Sequence, residues 1–406
     1  MNRFLPAFLF ATVFFPLFSQ EAPETENEQD VDPRKLLIDD FNTRHSFQIT
    51  GRLQMRTYLS FLEATPRIYE QSDLLETLNS DSAHWGSEAR RLRMGMKGNL
   101  DKVHWQLDLR SENMVSVHEN ASMITFAYVG YKFHKDFLDI RIGSDELPFS
   151  REWVTSSASL VTMERAQIID SIADFYGNGL FVESHPFDRK LTLYASVTGG
   201  EGGFFAGTNT TNTEHPLFGM RLQYDPIGEY INGVSYMGHS NLISFGIGSL
   251  FATRADPDGK PYKEDYKNLA IGTFDTTILL NSFELSGAVA YSAAEKYHYW
   301  GYHITPAQFV YKRFVQIYGR YEMMSNGSYI HTTSLPSGTP LPAEKDVSQT
   351  KTTSFGINLY SMYQNHIKLQ IAHVFGLNQS YHADTGKWKD LGISDDWTAV
   401  QAQVSF

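Results

Sequence analysis

Trp397-Thr-Ala-Val-Gln-Ala-Gln-Val-Ser-Phe406 closes the 406-residue chain, and its alternation decides the fold. Val400, Ala402, Val404 and Phe406 fall on one face, and Ala399, Gln401, Gln403 and Ser405 on the other. A period of two describes a strand whose faces meet two different environments. The same pattern recurs upstream. Over residues 47–59, Leu53, Met55, Thr57 and Leu59 oppose Arg52, Gln54 and Arg56; over 91–97, Leu92, Met94 and Met96 oppose Arg91, Arg93 and Lys97. Trp105, Leu107 and Leu109 oppose Gln106, Asp108 and Arg110, while Leu138, Ile140 and Ile142 oppose Asp139 and Arg141.

From residue 46 onward about sixteen such strands are expected, each near the ~9–11 residues that cross a tilted barrel wall. Their connections alternate in length. Short ones fall at 99–102, 134–136, 185–188, 281–282, 311–313 and 364–366; long ones at 62–87, 112–121, 144–174, 200–215, 252–265, 325–350 and 378–394. The stretch 225–239 breaks the rule, being longer than the short turn expected there. Short turns on one side and long loops on the other predict an all-β, antiparallel transmembrane β-barrel of the bacterial outer membrane. Phe406 then reads as the terminal signal for the barrel assembly machinery, with outer-membrane lipid and lipopolysaccharide around the wall. Aromatics at strand ends (Tyr128, Tyr131, Phe133, Phe137, Tyr360, Tyr363) suit interfacial girdles, and equally suit the ordinary strand preference of aromatic residues.

Mean hydropathy is -0.32, the value of a soluble protein, but a barrel gives the same average because only alternate residues meet lipid. Residues 1–19, with Arg3 before an uncharged apolar run, read as a secretory signal peptide; Leu17 and Ser19 precede the expected cleavage point. Residues 20–45 read as an acidic, disordered periplasmic segment, with eight acids against Arg34 and Lys35 between positions 21 and 40. The barrel domain is expected over 46–406. Net charge is -12, which argues against nucleic acid as a partner. Cysteine is absent, excluding disulfides and thiolate metal sites.

One long loop has a composition of its own. It follows Arg141-Ile-Gly143 and reads Ser144-Asp-Glu-Leu-Pro-Phe-Ser-Arg-Glu152, then Thr155-Ser-Ser157 and Met163-Glu-Arg165. Upstream lie Arg90-Arg-Leu-Arg-Met-Gly-Met-Lys-Gly98 and Ala127-Tyr-Val-Gly-Tyr131. In this order these segments resemble the phosphate-selective porin O and P family, specifically over about 46–200 and only architecturally beyond. The resemblance implies a sixteen-stranded barrel, a homotrimer, and this third loop folded into the lumen as a constriction. It departs from the family at Glu146, where a Lys two residues before the Pro is common; a carboxylate there repels phosphate.

The expected constriction set is Asp145, Glu146, Pro148, Phe149, Ser150, Glu152, Glu164 and Arg165. The expected basic, pore-lining set is Arg52, Arg56, Arg91, Arg93, Lys97, Arg110 and Arg141. Facing bases and acids would set a transverse field that sorts ions and orients dipolar solutes. The alternative is that these charges pair to pin the loop to the wall, and both can hold at once. No catalytic residues, metal ligands or cofactor are expected. The 14 His show no ligand spacing, with His298 and His303 the nearest to a pair, and Gly177-Asn-Gly179 suggests a bulge in a strand. The function expected is passive diffusion of small hydrophilic solutes or ions, with weak anion preference and phosphate as one candidate. An adhesin or receptor barrel with a plugged lumen, or a barrel enzyme, are the competing classes.

Overall fold

The computed structural model describes residues 45–60, 84–110, 124–133, 137–172, 176–187, 189–201, 216–228, 241–252, 269–294, 297–327, 347–361, 364–382, 387–390 and 397–406. The expected signal peptide, the acidic segment up to residue 44 and most of the long loops lie outside them.

The chain begins with β1 (His45–Ser60), β2 (His84–Leu100), β3 (Val103–Arg110), β4 (Ile124–Phe133) and β5 (Leu138–Glu146). Two short helices follow, α1 (Arg151–Val154) and α2 (Gln167–Ile172). Then come β6 (Tyr176–Ser184), β7 (Leu191–Glu201), β8 (Leu217–Ile227), β9 (Leu242–Ala252), β10 (Leu269–Leu280) and β11 (Phe283–Ala294). The last are β12 (Tyr297–Tyr311), β13 (Val315–Gly327), β14 (Val347–Ser361), β15 (Gln364–His382), β16 (Lys387–Asp390) and β17 (Trp397–Ser405). Each strand from β1 to β15 pairs antiparallel with its chain neighbour; β15 also pairs with β17, and β17 with β1. β16 pairs only with the far end of β15, from Gln379↔Asp390 to His382↔Lys387. Seventeen strands less this one leave a closed ring of sixteen.

Closure satisfies every wall strand on both edges, which a sheet in hydrocarbon requires. At the seam, Phe406 N–H donates to Gly51 O at 3.0 Å and Gly51 N–H donates to Phe406 O at 2.8 Å. The Phe406 ring lies over Gly51, where a Cβ would come within 2.3 Å of it, so a larger residue there would have to displace the ring.

The alternation sorts the two faces as expected. Leu53, Met55, Met94, Val129, Ile142 and Val404 are exposed on the outside, whereas Gln54, Arg56, Arg91, Gln401 and Gln403 are buried inside. An exterior so apolar is stable only against hydrocarbon. Of the expected girdle aromatics, Tyr131, Phe133 and Phe137 are exposed, but Tyr360 is buried, and the Tyr128 hydroxyl donates to Gln106 on the lumen side. The register of β6 against β7 shifts between Gly177 and Gly179, the expected bulge.

Several connections differ from the sequence reading. Residues 364–366 open β15 instead of forming a turn, and the His366 ring bonds Ser405 O at 2.9 Å. Polar residues at a strand's periplasmic end clear the hydrocarbon and need not alternate. Part of 378–394 is the β15–β16 hairpin, Asp145 and Glu146 are the last residues of β5 and not loop, and β11 and β12 are separated only by residues 295–296. Residues 225–227 belong to β8, and 229–240 lie outside the described residues.

Ile142, 67% exposed in the middle of the apolar exterior, tests this orientation. Ile142→Arg should destabilise the barrel in bilayers by ~2–4 kcal/mol, while Ile142→Leu should cost less than ~1.5 kcal/mol. Denaturant titration of the reconstituted protein measures both; equal stability would place Ile142 away from lipid.

Candidate functional site: a loop clamped across the lumen

The chain between β5 and β6 turns into the barrel and stays there because it carries its own apolar anchor. Leu147, Phe149 and Trp153 are buried against Leu217, Leu250 and Ile271, which point inward from β8, β9 and β10. Ile168 and Ile169 of α2 join the same cluster with Ala288, Ala290 and Met324. Pro148 is buried beside them. The approach is close: a Cβ at Gly248 would lie 1.8 Å from Phe149 O, so only glycine lets the loop backbone pass. Ser150 caps α1, its hydroxyl accepting from Trp153 N–H at 3.2 Å.

Polar contacts then fix the loop's path. Arg151 N–H donates to Asp275 at 3.0 Å and its guanidinium to the Ser244 hydroxyl at 2.6 Å; Arg221 holds the same Asp275 at 2.6 Å. At the far wall, Arg52 donates to the hydroxyls of Ser156 and Ser157. The fully buried Lys368 donates to Ala158 O and Leu160 O, each at 2.9 Å. Asn358 donates to Val161 O at 2.8 Å.

The returning limb carries the densest charge. Glu164 accepts from Arg56, from Arg90 Nε at 2.8 Å and from Arg91 at 2.9 Å. A bulge makes this possible: Gln54 pairs with Arg91 and Met55 with Ala89, so Arg90 is the extra residue and can share its neighbour's target. Arg320 on β13 reaches Glu152 and also donates to Glu164 O at 3.1 Å. Arg165 donates to the carbonyls of Glu152, Trp153 and Thr155, stitching the outgoing limb to the returning one. Burial opposes the charge on Glu164, but Arg90, Arg91 and Arg56 outweigh it and hold the carboxyl well below its usual range. Burial likewise opposes charge on Glu152, and Arg320 and His303 overcome it.

Beside this clamp the wall carries a row of amides. Gln401 donates to Gln370, Gln370 to Asn358 and Asn358 to Gln316, each at 3.0 Å, while Arg56 donates to Gln401 at 3.1 Å. Every step donates in the same sense, from β1 through β17, β15 and β14 to β13. Aligned hydrogen-bond dipoles of this kind strengthen one another.

The structure therefore divides the sequence-predicted residues. Arg52, Arg56 and Arg91 hold the loop. Arg141 faces the lumen but is tied to Asp145 at 2.8 Å, Glu183 at 3.0 Å and Asp139 at 3.6 Å, so it reads as a structural pair. Arg93 and Arg110 are directly paired on β2 and β3, and both keep solvent access, as does Lys97. Glu146 is partly exposed and accepts from the Tyr176 hydroxyl at 3.1 Å. Phe149 and Ser150 serve the anchor; Glu152, Glu164 and Arg165 serve the clamp. Sequence reasoning missed Arg90, Arg151, Arg221, Asp275, Arg320 and Lys368. His303 points inward with Nε2 3.3 Å from Glu152, and among the described residues no cluster suits a metal ion.

A model of the family described as phosphate-selective porin O and P matches residues 69–238. No curated protein matches. Among solved structures, the barrel is similar to the trimer form of OmpT from Vibrio cholerae, at TM-score 0.51 and 11% identity over 89% of this chain and 99% of that one. It is similar to the outer membrane channel DcaP of Acinetobacter baumannii, at 0.52 and 11% over 90% and 98%. It is also similar to OmpF of Salmonella typhi, at 0.53 and 10% over 90% and 99%.

Glu164 carries a testable stability term. Its folded-state pKa is depressed, so its contribution is full above the usual carboxylate range and is lost as pH falls well below it. Glu164→Gln should lower unfolding stability at neutral pH by about 3 kcal/mol, the low end for breaking a buried pair because the site is partly solvated. It should also flatten the acid limb of stability against pH. A variant with the parental acid limb would show that the clamp contributes nothing.

Proposed function

We infer that this chain, whose residues 69–238 match the phosphate-selective porins O and P, is a passive diffusion channel of the bacterial outer membrane. No chemical step is involved: a hydrated lumen removes the barrier that hydrocarbon sets to polar solutes. The observation that carries the reading is an asymmetry of burial. Seven inward side chains on β1, β8, β9, β10, β14, β15 and β17 (Gln54, Arg221, Ser244, Asp275, Asn358, Gln370 and Gln401) are buried against the loop or one another. On β2, β3 and the end of β5, by contrast, Arg93, Lys97, Gln106, Asp108, Arg110 and Glu146 keep solvent access. The passage runs along that second wall, between it and the loop's returning limb.

Its charge is mixed. Arg93, Lys97, Arg110 and Arg165 face Asp108 and Glu146, four bases against two acids, which favours weak anion selectivity. Glu146 stands where phosphate-selective relatives commonly have Lys and sets phosphate at a disadvantage. The working unit is a homotrimer, in keeping with the trimer form of the similar OmpT.

In planar bilayers the purified protein should give discrete ohmic channels, and in a salt gradient the reversal potential should have the sign of anion preference. Arg93→Glu should move it towards cations, while Arg141→Gln should move it far less. A folded protein without conductance would overturn the channel reading; cation preference would overturn the selectivity.

A further inference from the structure

We propose that the recess between the loop and the β10–β14 wall binds a small primary amine. Its ammonium sits on the Glu284 carboxylate and its apolar body against Leu279, Phe309 and Tyr360. Binding there is separate from permeation, so the proposal stands apart from the channel reading above.

The recess lies behind the loop. Residues 159–162 of the loop form one side, and inward residues of β10 to β14 form the other. Leu279, Glu284, Phe309 and Tyr360 mark the end nearest the short turns: Glu284 is the second residue of β11, and Phe309 stands two residues before the end of β12.

The other charges of the recess are answered. Arg151 meets Asp275 at 3.4 Å, and Glu152 takes Arg320 and lies 3.3 Å from His303. Glu284 differs. Among the described residues its carboxylate has no hydrogen bond and no ion pair. Its direct neighbours across the sheet are apolar, Leu279 on β10 and Ala307 on β12. A carboxylate so placed costs stability, and a cation beside it would remove that cost. Glu284 is only partly buried and lines the recess, so a ligand there can meet it.

The surroundings select the kind of cation. In the next inward row from the turn, Thr277, Ser286 and Thr305 are directly paired and set three hydroxyls side by side. Thr305 accepts from Arg320 at 2.9 Å, and each of the three hydroxyl oxygens has two lone pairs to offer. A carboxylate with hydroxyls in the adjoining row places acceptors in more than one plane. That arrangement suits a compact ammonium better than the planar fork of a guanidinium. A divalent metal would need several oxygen ligands, and among the described residues no cluster suits one. On the turn side, the rings of Phe309 and Tyr360 lie 5.8 Å apart and line the recess together with Leu279. They would take a short hydrocarbon or aryl group out of water.

The test is calorimetric titration of the detergent-solubilised full protein at neutral pH with phenethylammonium chloride. Binding should saturate at one molecule per chain. Two isosteric probes, 2-phenylethanol without the charge and 3-phenylpropionate with the opposite charge, should each bind at least about tenfold more weakly. Glu284→Gln keeps the shape and removes the charge, and it should lower phenethylammonium affinity about tenfold. The probe series uses wild type alone, so it decides the proposal even if that variant does not fold. No saturable binding, equal affinity for the alcohol or the carboxylate probe, or a folded Glu284→Gln with wild-type affinity would each overturn the proposal.

Discussion

One carboxylate fixes where the loop lies. Glu164 gathers Arg56, Arg90 and Arg91 from two adjacent strands, and its neighbouring backbone takes Arg320 from β13. Three guanidiniums so close together would repel one another without it, and Glu164 would be a desolvated anion without them. Each side offsets the cost of the other, which ties the loop to the wall. The apolar anchor at Phe149 and Trp153 sets the loop's entry, and the clamp at Glu164 sets its return. Between these points the loop fills one side of the lumen, leaving a recess behind it, and leaves the β2–β3 wall open to solvent.

The amide chain from Gln401 to Gln316 solves a related problem. Its strands surround the seam, where the first and last strands must find each other across the whole sequence. An amide both donates and accepts, so a row of them satisfies itself without counter-ions. Charges there would need partners from elsewhere before the ring could close. Arg56 joins this row of amides to the charged clamp by donating to both Gln401 and Glu164.

Much of this was legible in the sequence because alternation reports sidedness directly. The order of strands, the turn asymmetry, the bulge at Gly177–Gly179 and the third loop with its acids all followed from local pattern. The residue partners did not. Arg221, Asp275, Arg320 and Lys368 are single charges on otherwise neutral stretches of inner wall, and each meets the loop or another strand far away in sequence. Their one local signal is a charge at an inward position. Arg90 was hidden differently: strict alternation assigns it to the lipid face, and only the bulge turns it inward. Arg141 shows the opposite error, since its inward position is right but its three carboxylates occupy it.

The central claim is that solutes pass along β2 and β3 and not behind the loop. The chain has no cysteine, so a single introduced thiol reports without background. The deciding measurement is the single-channel current during reaction of an anionic methanethiosulfonate with Arg93→Cys, with Ser286→Cys in the recess behind the loop as control. Modification at position 93 should cut the current in steps, and modification at 286 should leave it nearly unchanged. A current that falls only with the 286 variant would place the path behind the loop and contradict this account.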